Sequence, residues 1–346
     1  MALEVDIEKR AGGFHLQTAF SCREEIMGIL GSSGSGKSMT LKCIAGIEKP
    51  DRGRIVLDGR ILFDSQRRIN LPPQKRHVGY LFQNYALFPN MTVEQNILCG
   101  LHGERDRKRR KEEAGRVMKL LQINELASLR PAQLSGGQAQ RAALGRILVN
   151  QPGLLMLDEP FSALDAFLRL RLQMELKELL ASYGKTILMV THDRDEAFHM
   201  CGRLGVMERG RMLAVKETKA LFADPGTREA AIMTGCKNIA PAEKTGEHEV
   251  FVPDWGIHLR TGKRVEEGLS AIGIRAHYFH PTSPQNTYTI RYVGEMEEPF
   301  AWVAQFRYEG QASESPALWW RYPKEKRPAV FPEKLGVAPA NILLLY

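Results

Sequence analysis

The sequence predicts an α/β domain built on a mostly parallel sheet, followed by a smaller all-β domain. Two observations carry this. Through residues 1–235, short apolar runs of strand length alternate with apolar residues at helical spacing. Strands joined by helices imply a mainly parallel sheet with helices on both faces. From Cys236 onward the composition turns to proline, β-branched and aromatic residues, and all four tryptophans (Trp255, Trp302, Trp319 and Trp320) lie there. A length of 346 residues suits two domains, 1–235 and 236–346.

The elements follow in order. Residues 25–30 are a short apolar strand running into a glycine-rich turn. Residues 38–45 place Leu41, Ile44 and Ala45 at helical spacing. Residues 54–57 read as a strand entering a turn at Asp58-Gly59. Few strand signals occur in 94–149, where 112–122 and 138–149 read as helices, so 84–150 is expected to be a helical subdomain inserted into the α/β domain. Residues 154–157 and 186–190 are apolar runs of buried parallel-strand length. Between them, 166–181 carries Leu168, Leu172, Leu176, Leu179 and Leu180 on one helical face. Residues 227–234 read as a last helix after the Pro225-Gly226 turn. In the second domain, 249–252, 271–275, 288–293 and 300–306 alternate like strands, which suits a barrel-like architecture.

Composition excludes several classes. Hydrophobic residues make up 43% and charged residues 25%, as in folded soluble domains rather than disordered chains. No apolar run approaches the roughly 18 residues that cross a bilayer. The N-terminus lacks the pattern of a signal peptide. Lys and Arg outnumber Asp and Glu by 48 to 40. That excess permits contact with nucleic acid or a membrane surface without demanding it. The densest basic run, from Arg105 to Lys111, is followed by Glu112-Glu113 and reads as a solvated helix start, with a partner-binding patch as the alternative. Five scattered cysteines without a CxxC pair predict reduced thiols and no structural zinc.

Gly31-Ser32-Ser33-Gly34-Ser35-Gly36-Lys37-Ser38 fits the phosphate-loop pattern GxxxxGK[ST], with an apolar strand before it and a helix after it. Its glycines let successive backbone N–H groups face one ligand, and the helix N-terminus adds a positive dipole end. Lys37 is then expected at the β- and γ-phosphates of a nucleotide, and the Ser38 hydroxyl on Mg²⁺. Leu154-Leu155-Met156-Leu157-Asp158-Glu159 is an apolar strand ending in two carboxylates. Placed beside the loop's own strand, it would bring Asp158 to Mg²⁺ and Glu159 to the attacking water as proton acceptor. Thr191-His192-Asp193 ends the next strand and carries His192 to the same sheet edge. Leu134-Ser135-Gly136-Gly137-Gln138 opens a helix with a serine N-cap and two glycines, a second anion site. One phosphate chain does not need two such loops from one subunit. Two chains sharing two nucleotides do, which predicts an isologous homodimer.

This order of motifs resembles the ATP-binding-cassette (ABC) ATPases, whose signature is LSGGQ. The resemblance covers most of 1–235 and implies a P-loop ATPase that binds ATP and Mg²⁺. It adds Gln83 as the family's Q-loop, sensing Mg²⁺ and contacting a membrane partner, and Asp165 of Ser162-Ala163-Leu164-Asp165 as the D-loop across the dimer. Phe14 lies 23 residues before Lys37, where the family places an aromatic against adenine; a core phenylalanine is the other reading. The implied nucleotide contacts are Phe14, Gly31, Ser32, Ser33, Gly34, Ser35, Gly36, Lys37, Ser38 and Met39. To these the resemblance adds Ser135, Gly136, Gly137, Gln138 and Asp165 from the partner copy. Lys37, Gln83, Glu159 and His192 form the implied catalytic group, and Ser38, Gln83 and Asp158 the implied Mg²⁺ ligands. Ala139 departs from the family's common QQQR that follows the signature glycines.

Residues 84–93 and the stretch from Phe161 to Arg171 look like importer subunits that serve a permease and an extracellular solute-binding protein. The groove near Gln83 and residues 85–88 would accept a helix of the permease. Thr234-Gly235-Cys236-Lys237-Asn238-Ile239 and Ile272-Gly273-Ile274-Arg275 are similar to molybdate/sulfate-type importer ATPases and their OB-like domain. The expectation is a peripheral ATPase at the cytoplasmic face of the membrane, working on an oxyanion such as molybdate, tungstate or sulfate and not on nucleic acid. Sugar or ferric-iron import shares this layout. A DNA-handling ABC ATPase is disfavoured because no long heptad run is present. Three roles stay open for the β-rich tail: dimer stabilisation, binding a regulatory protein, or binding the oxyanion to hold the ATPases apart.

Overall fold

The computed structural model describes every residue except Met1, His102, 163–165 and Ser313, and describes only the backbone of 166–168 and 182. Chain contacts divide it into two units, Met1–Thr218 and Lys219–Tyr346.

Among the described residues, the first unit holds one sheet of eleven strands. These are β1 (Ala2–Ala11), β2 (Phe14–Arg23), β3 (Ile26–Leu30), β4 (Arg52–Leu57), β5 (Arg60–Asp64), β6 (Ile69–Asn70), β7 (Val78–Leu81), β8 (Leu154–Asp158), β9 (Thr186–Thr191), β10 (Arg203–Glu208) and β11 (Arg211–Glu217). Their lateral order is β6-β5-β4-β1-β2-β11-β10-β3-β9-β8-β7.

The expectation of a mostly parallel sheet is corrected, because the sheet is mixed. Strands β10-β3-β9-β8-β7 pair in parallel. Strands β1, β2, β4, β5 and β6 form an antiparallel arm. The side chains explain the difference. In β1 and β2, Leu3, Val5, Ile7, Leu16, Thr18, Phe20 and Cys22 are buried and alternate with exposed neighbours, the pattern of a sheet covered on one face. Every residue of β8 and β9 is buried, as in a strand covered on both.

Helix α1 (Lys37–Ala45) follows β3. Between β7 and β8 the chain inserts α2 (Val93–Cys99), α3 (Arg107–Leu120) and α4 (Gly136–Leu148), inside the expected 84–150. Helices α5 (Ala166–Tyr183) and α6 (Arg194–Met200) flank β9. The inserted helices share one apolar core with α5 through Ile97, Val117, Ala142, Leu144, Leu172, Leu176 and Leu180. Leu179 packs at its edge, and the side chain of Leu168 lies outside the described residues. Asp106 caps α3 by accepting from the backbone N–H of Lys108 at 2.8 Å, so the basic run is the exposed first turn of a helix. All five cysteines are free. No described helix is long and apolar enough to cross a membrane.

In the second unit, Thr227 caps α8 (Arg228–Met233), its hydroxyl accepting from the Ala230 N–H; α7 (Thr218–Ala223) precedes it across the boundary. Ten strands follow among the described residues: β12 (Asn238–Pro241), β13 (Glu243–Gly246), β14 (Glu249–Val252), β15 (Ile257–Arg260), β16 (Ala271–Ile274), β17 (Tyr288–Glu297), β18 (Ala301–Tyr308), β19 (Leu318–Pro323), β20 (Lys334–Leu335) and β21 (Ile342–Leu345). They form three small antiparallel sheets, β12-β16-β21, β13-β14-β15 and β19-β18-β17-β20. Val250, Ile257, Ile272, Phe306, Trp320 and Leu344 close these sheets around one core, which makes this an all-β domain after its short helices.

Candidate functional site

Lys37, Ser38, Asp158, Glu159 and His192 gather at the C-terminal ends of β3, β9 and β8. The phosphate loop leaves β3, Asp158 ends β8, and His192 follows β9. One detail is corrected: β8 does not lie beside β3, because β9 runs between them with Leu30 opposite Thr191 and Asp158 opposite Val190. A parallel strand reached by a crossover helix need not settle next to the strand before it. The three strand ends still share one edge, where ligands of parallel sheets bind.

Backbone geometry explains the loop's glycines. Gly34 and Gly36 have φ of 79° and 106°, a region that L side chains rarely adopt. A Cβ at Gly31 would lie 2.3 Å from the Met207 carbonyl oxygen. A Cβ at Gly36 would lie 3.1 Å from both Phe14 Cζ and Leu16 Cδ1. The half-buried Phe14 ring therefore rests against the loop's last glycine while also packing on the sheet core. Gly36 caps α1 without a side-chain acceptor, which leaves the first-turn N–H groups available to an anion. Ser32, Ser33 and Gly34 are exposed, Ser38 and Met39 half-buried. Ser35 Oγ is buried with no hydrogen-bond partner. A backbone bond from Gly210 N–H to the Ser35 carbonyl, 2.9 Å, ties the loop to the β10–β11 turn.

Lys37 is buried, and its Nζ donates to the carbonyls of Gly31 (2.9 Å) and Ser32 (2.8 Å). Burial lowers its pKa, and the nearby Glu159 and Asp158 work against that. Ser38 Oγ donates to Asp158 Oδ1 at 2.8 Å, and the Tyr80 hydroxyl donates to Asp158 Oδ2 at 2.7 Å. Burial, then the bond to Asp158, pushes the Tyr80 phenol well above its usual pKa, so it stays a donor. A hydroxyl beside a carboxylate is an oxygen donor set that suits a hard divalent cation such as Mg²⁺. The glycine cradle, uncapped helix start and lysine suit a polyphosphate.

Glu159 stands between two nitrogens. Its Oε1 is 4.0 Å from Lys37 Nζ, and its Oε2 is 3.1 Å from Nδ1 of the exposed His192. Its φ of 46° is left-handed, a strained conformation for this residue type. The following turn holds it there. Ser162 donates to the Glu159 carbonyl from its backbone N–H (3.2 Å) and its Oγ (3.0 Å). The next carbonyl, Pro160, accepts from Gln140 Nε2 at 3.1 Å and from the Tyr85 hydroxyl at 3.3 Å. Gln83 is exposed, and its Nε2 donates to Ser162 Oγ at 3.3 Å, not to Ser38 or Asp158.

The second glycine loop is formed as the sequence predicts. Ser135 caps α4, with Ser135 N–H donating to Gln138 Oε1 at 2.9 Å and Gln138 N–H to Ser135 Oγ at 3.4 Å. Ser135 and Gly136 are exposed. Gly137 is buried, and a Cβ there would lie 2.9 Å from Leu172 Cδ1. Among the described residues, no hydrogen bond or ion pair joins this loop to Lys37, Ser38, Asp158, Glu159 or His192. Asp165 lies outside the described residues.

Three supporting residues escaped the sequence reading, Tyr80, Gln140 and Arg146, and Ser162 entered it only as the first residue of the D-loop motif. Arg146 on α4 donates to the carbonyls of Ala86 (2.7 Å) and Tyr85 (3.1 Å), and its guanidinium lies 5.3 Å from the Phe88 ring centre. It thereby secures two successive left-handed residues, Tyr85 and Ala86, at φ of 58° and 44°. The adjacent positive φ values have no sequence signal, because neither residue is glycine or asparagine.

Residues 19–162 match the ABC transporter family. The putrescine transport ATP-binding protein PotG of Escherichia coli is 46% identical over 218 residues, which cover 62% of this chain but only 56% of PotG. The spermidine/putrescine import ATP-binding protein PotA of Oleidesulfovibrio alaskensis is 37% identical over 289 residues, 79% of this chain and 74% of PotA. PotA of Bacillus cereus is 42% identical over 247 residues, 71% of this chain and 72% of that protein. Among solved structures, the ATP-binding cassette MJ0796, in a dimeric post-hydrolysis state bound to ADP and Pi, aligns with a TM-score of 0.53 and 27% identity over 63% of this chain and 99% of its own. The cbiO1 subunit from Clostridium perfringens, part of the transporter complex cbiONQ, aligns with a TM-score of 0.57 and 28% identity over 64% of this chain and 91% of its own.

Proposed function

The chain belongs to the ABC transporter family and is an ATP-hydrolysing transport subunit, and from that premise we propose that it powers uptake of a polyamine of the putrescine/spermidine class. The reach of one match carries the solute class. The likeness to PotA of O. alaskensis covers 79% of this chain, more than Met1–Thr218 contains. It is therefore not confined to the ATPase unit. The same relatives, whose names carry putrescine and spermidine, support a polyamine and give no support to the expected molybdate, tungstate or sulfate. Sugar and ferric iron gain no support from them. The short motifs at 234–239 and 272–275 reflect a shared layout and not a shared solute.

In this reading ATP lies across the phosphate loop, with Lys37 and the amides of the first turn of α1 on its phosphates and Phe14 against the base. Ser38 and Asp158 would hold Mg²⁺, which neutralises charge on the phosphates when bound. Glu159 accepts the proton of the attacking water, and the strained turn keeps its carboxylate aimed. His192, 3.1 Å from that carboxylate, orients it and faces the terminal phosphate. A second copy of the chain supplies Ser135, Gly136, Gly137, Gln138 and Asp165 to complete the electrostatic clamp.

The exposed Phe88, braced by Arg146, and Gln83 form the surface offered to a permease helix. The subunit accordingly works at the cytoplasmic face of the membrane, and an external solute-binding protein and the permease select the solute. The test is transport by proteoliposomes holding this chain, its permease and its binding protein. ATP-dependent accumulation of labelled putrescine or spermidine is expected. Accumulation of molybdate or sulfate with no polyamine uptake would overturn the proposal.

A further inference from the structure

We propose that Tyr80 is a positioning residue for the Mg²⁺ site, its hydroxyl holding one oxygen of Asp158 so that the other stays turned toward Ser38. Asp158 is 6% exposed, and it receives one donor on each carboxylate oxygen, Ser38 Oγ on Oδ1 at 2.8 Å and the Tyr80 hydroxyl on Oδ2 at 2.7 Å. A carboxylate at a strand end rotates readily about its last bond. With Oδ2 held, that rotation is stopped and Oδ1 keeps its place.

The sheet supplies the geometry. Strands β7 and β8 run in parallel with Tyr80 opposite Met156, so the phenol reaches forward along β8 to its last residue. The Phe82 ring, 4.4 Å from the Tyr80 ring, packs against its flank. The chemistry of the donor matters as well. Lysine or arginine here would form an ion pair with Asp158 and compete with a cation. A phenol is neutral and fixes the carboxylate without setting a competing positive charge beside the metal site. Hydrogen bonds to ligating carboxylates of this kind typically contribute 10- to 100-fold to metal affinity.

This inference rests on the reading that Ser38 and Asp158 hold Mg²⁺, and the experiment separates the two. A fluorescent ATP analogue is titrated onto the full chain in Mg²⁺ and in EDTA, for wild type, Tyr80→Phe and Asp158→Asn. Tyr80→Phe keeps the ring and its packing. We expect it to weaken binding about tenfold in Mg²⁺, the lower end of the range above, and to leave binding in EDTA unchanged. Asp158→Asn is expected to remove most of the Mg²⁺ dependence. If Tyr80→Phe binds like wild type in Mg²⁺, or weakens equally in both media, Tyr80 does not act on the metal site and the inference fails alone. If Asp158→Asn retains the full Mg²⁺ dependence, the underlying assignment of the metal ligands falls as well.

Discussion

The Pro160 carbonyl offers a double-mutant test of how the site is held. It is buried, and it accepts from Gln140 Nε2 on α4 at 3.1 Å and from the Tyr85 hydroxyl after β7 at 3.3 Å. Gln140 is itself 2% exposed. Removing either donor alone leaves the carbonyl one partner, so Gln140→Leu or Tyr85→Phe should each cost about 0.5–1.5 kcal/mol. Tyr85→Phe belongs at the lower end because its bond is the longer. Removing both strands a buried acceptor, and that adds a desolvation penalty of about 1–3 kcal/mol. The double variant should therefore exceed the sum of the singles by roughly 1 kcal/mol or more. Urea unfolding of the four proteins measures this. Steady-state ATPase assays supply a second reading, since the carbonyl belongs to the turn after Glu159 and not to the phosphate loop. There kcat should fall most in the double variant while KM for ATP holds. Additivity within about 0.3–0.5 kcal/mol, the range for independent sites, would mean that the two donors do not share the Pro160 carbonyl.

Other outcomes follow from the same geometry. Glu159→Gln keeps the shape of the side chain but cannot accept a proton; equilibrium binding should retain ATP while turnover drops about 10²- to 10⁴-fold, and wild-type turnover would remove Glu159 from its role. Glu196 is buried and accepts from Thr191 Oγ1 at 2.6 Å, and burial raises its pKa above 4.5. The folded state thus holds this proton to higher pH than the unfolded chain, and stability declines as pH rises from about 4.5 through the raised value. Glu196→Gln preserves the acceptor and should flatten that decline in unfolding titrations from pH 4 to 8; an unchanged slope would contradict the assignment.

Much of the site was legible because its residues are forced by backbone chemistry. A loop that must place Gly34 and Gly36 at positive φ, and Gly31 against a carbonyl oxygen, leaves a glycine pattern that can be read directly. The serine N-cap of α4 is legible for the same reason. Four of the ten strands described after residue 236 were readable, at 249–252, 271–275, 288–293 and 300–306, while β12, β13, β15 and β20, together with β19 and β21, were not. Less legible were features set by lateral neighbours. No local pattern says that β9 separates β3 from β8, that Tyr80 reaches Asp158, or that Gln140 and Tyr85 meet at Pro160, since these contacts span 20 to 161 residues of sequence. The β1–β2 hairpin was missed although Leu3, Val5 and Ile7 alternate plainly. The solute was illegible for a different reason. In the proposed arrangement this chain binds phosphates and a permease helix, and no residue of it has to recognise a polyamine.

In the proposed function, ATP is held between two copies of the chain, each lending its Ser135–Gln138 loop to the other's phosphate site. The most direct measurement is the molar mass of the Glu159→Gln protein by light scattering, with and without saturating MgATP, alongside the same protein carrying Ser135→Arg. A shift from monomer to dimer that requires MgATP and is lost in the Ser135→Arg protein is the predicted result. A protein that binds MgATP and remains monomeric, or a dimer indifferent to Ser135→Arg, would contradict it.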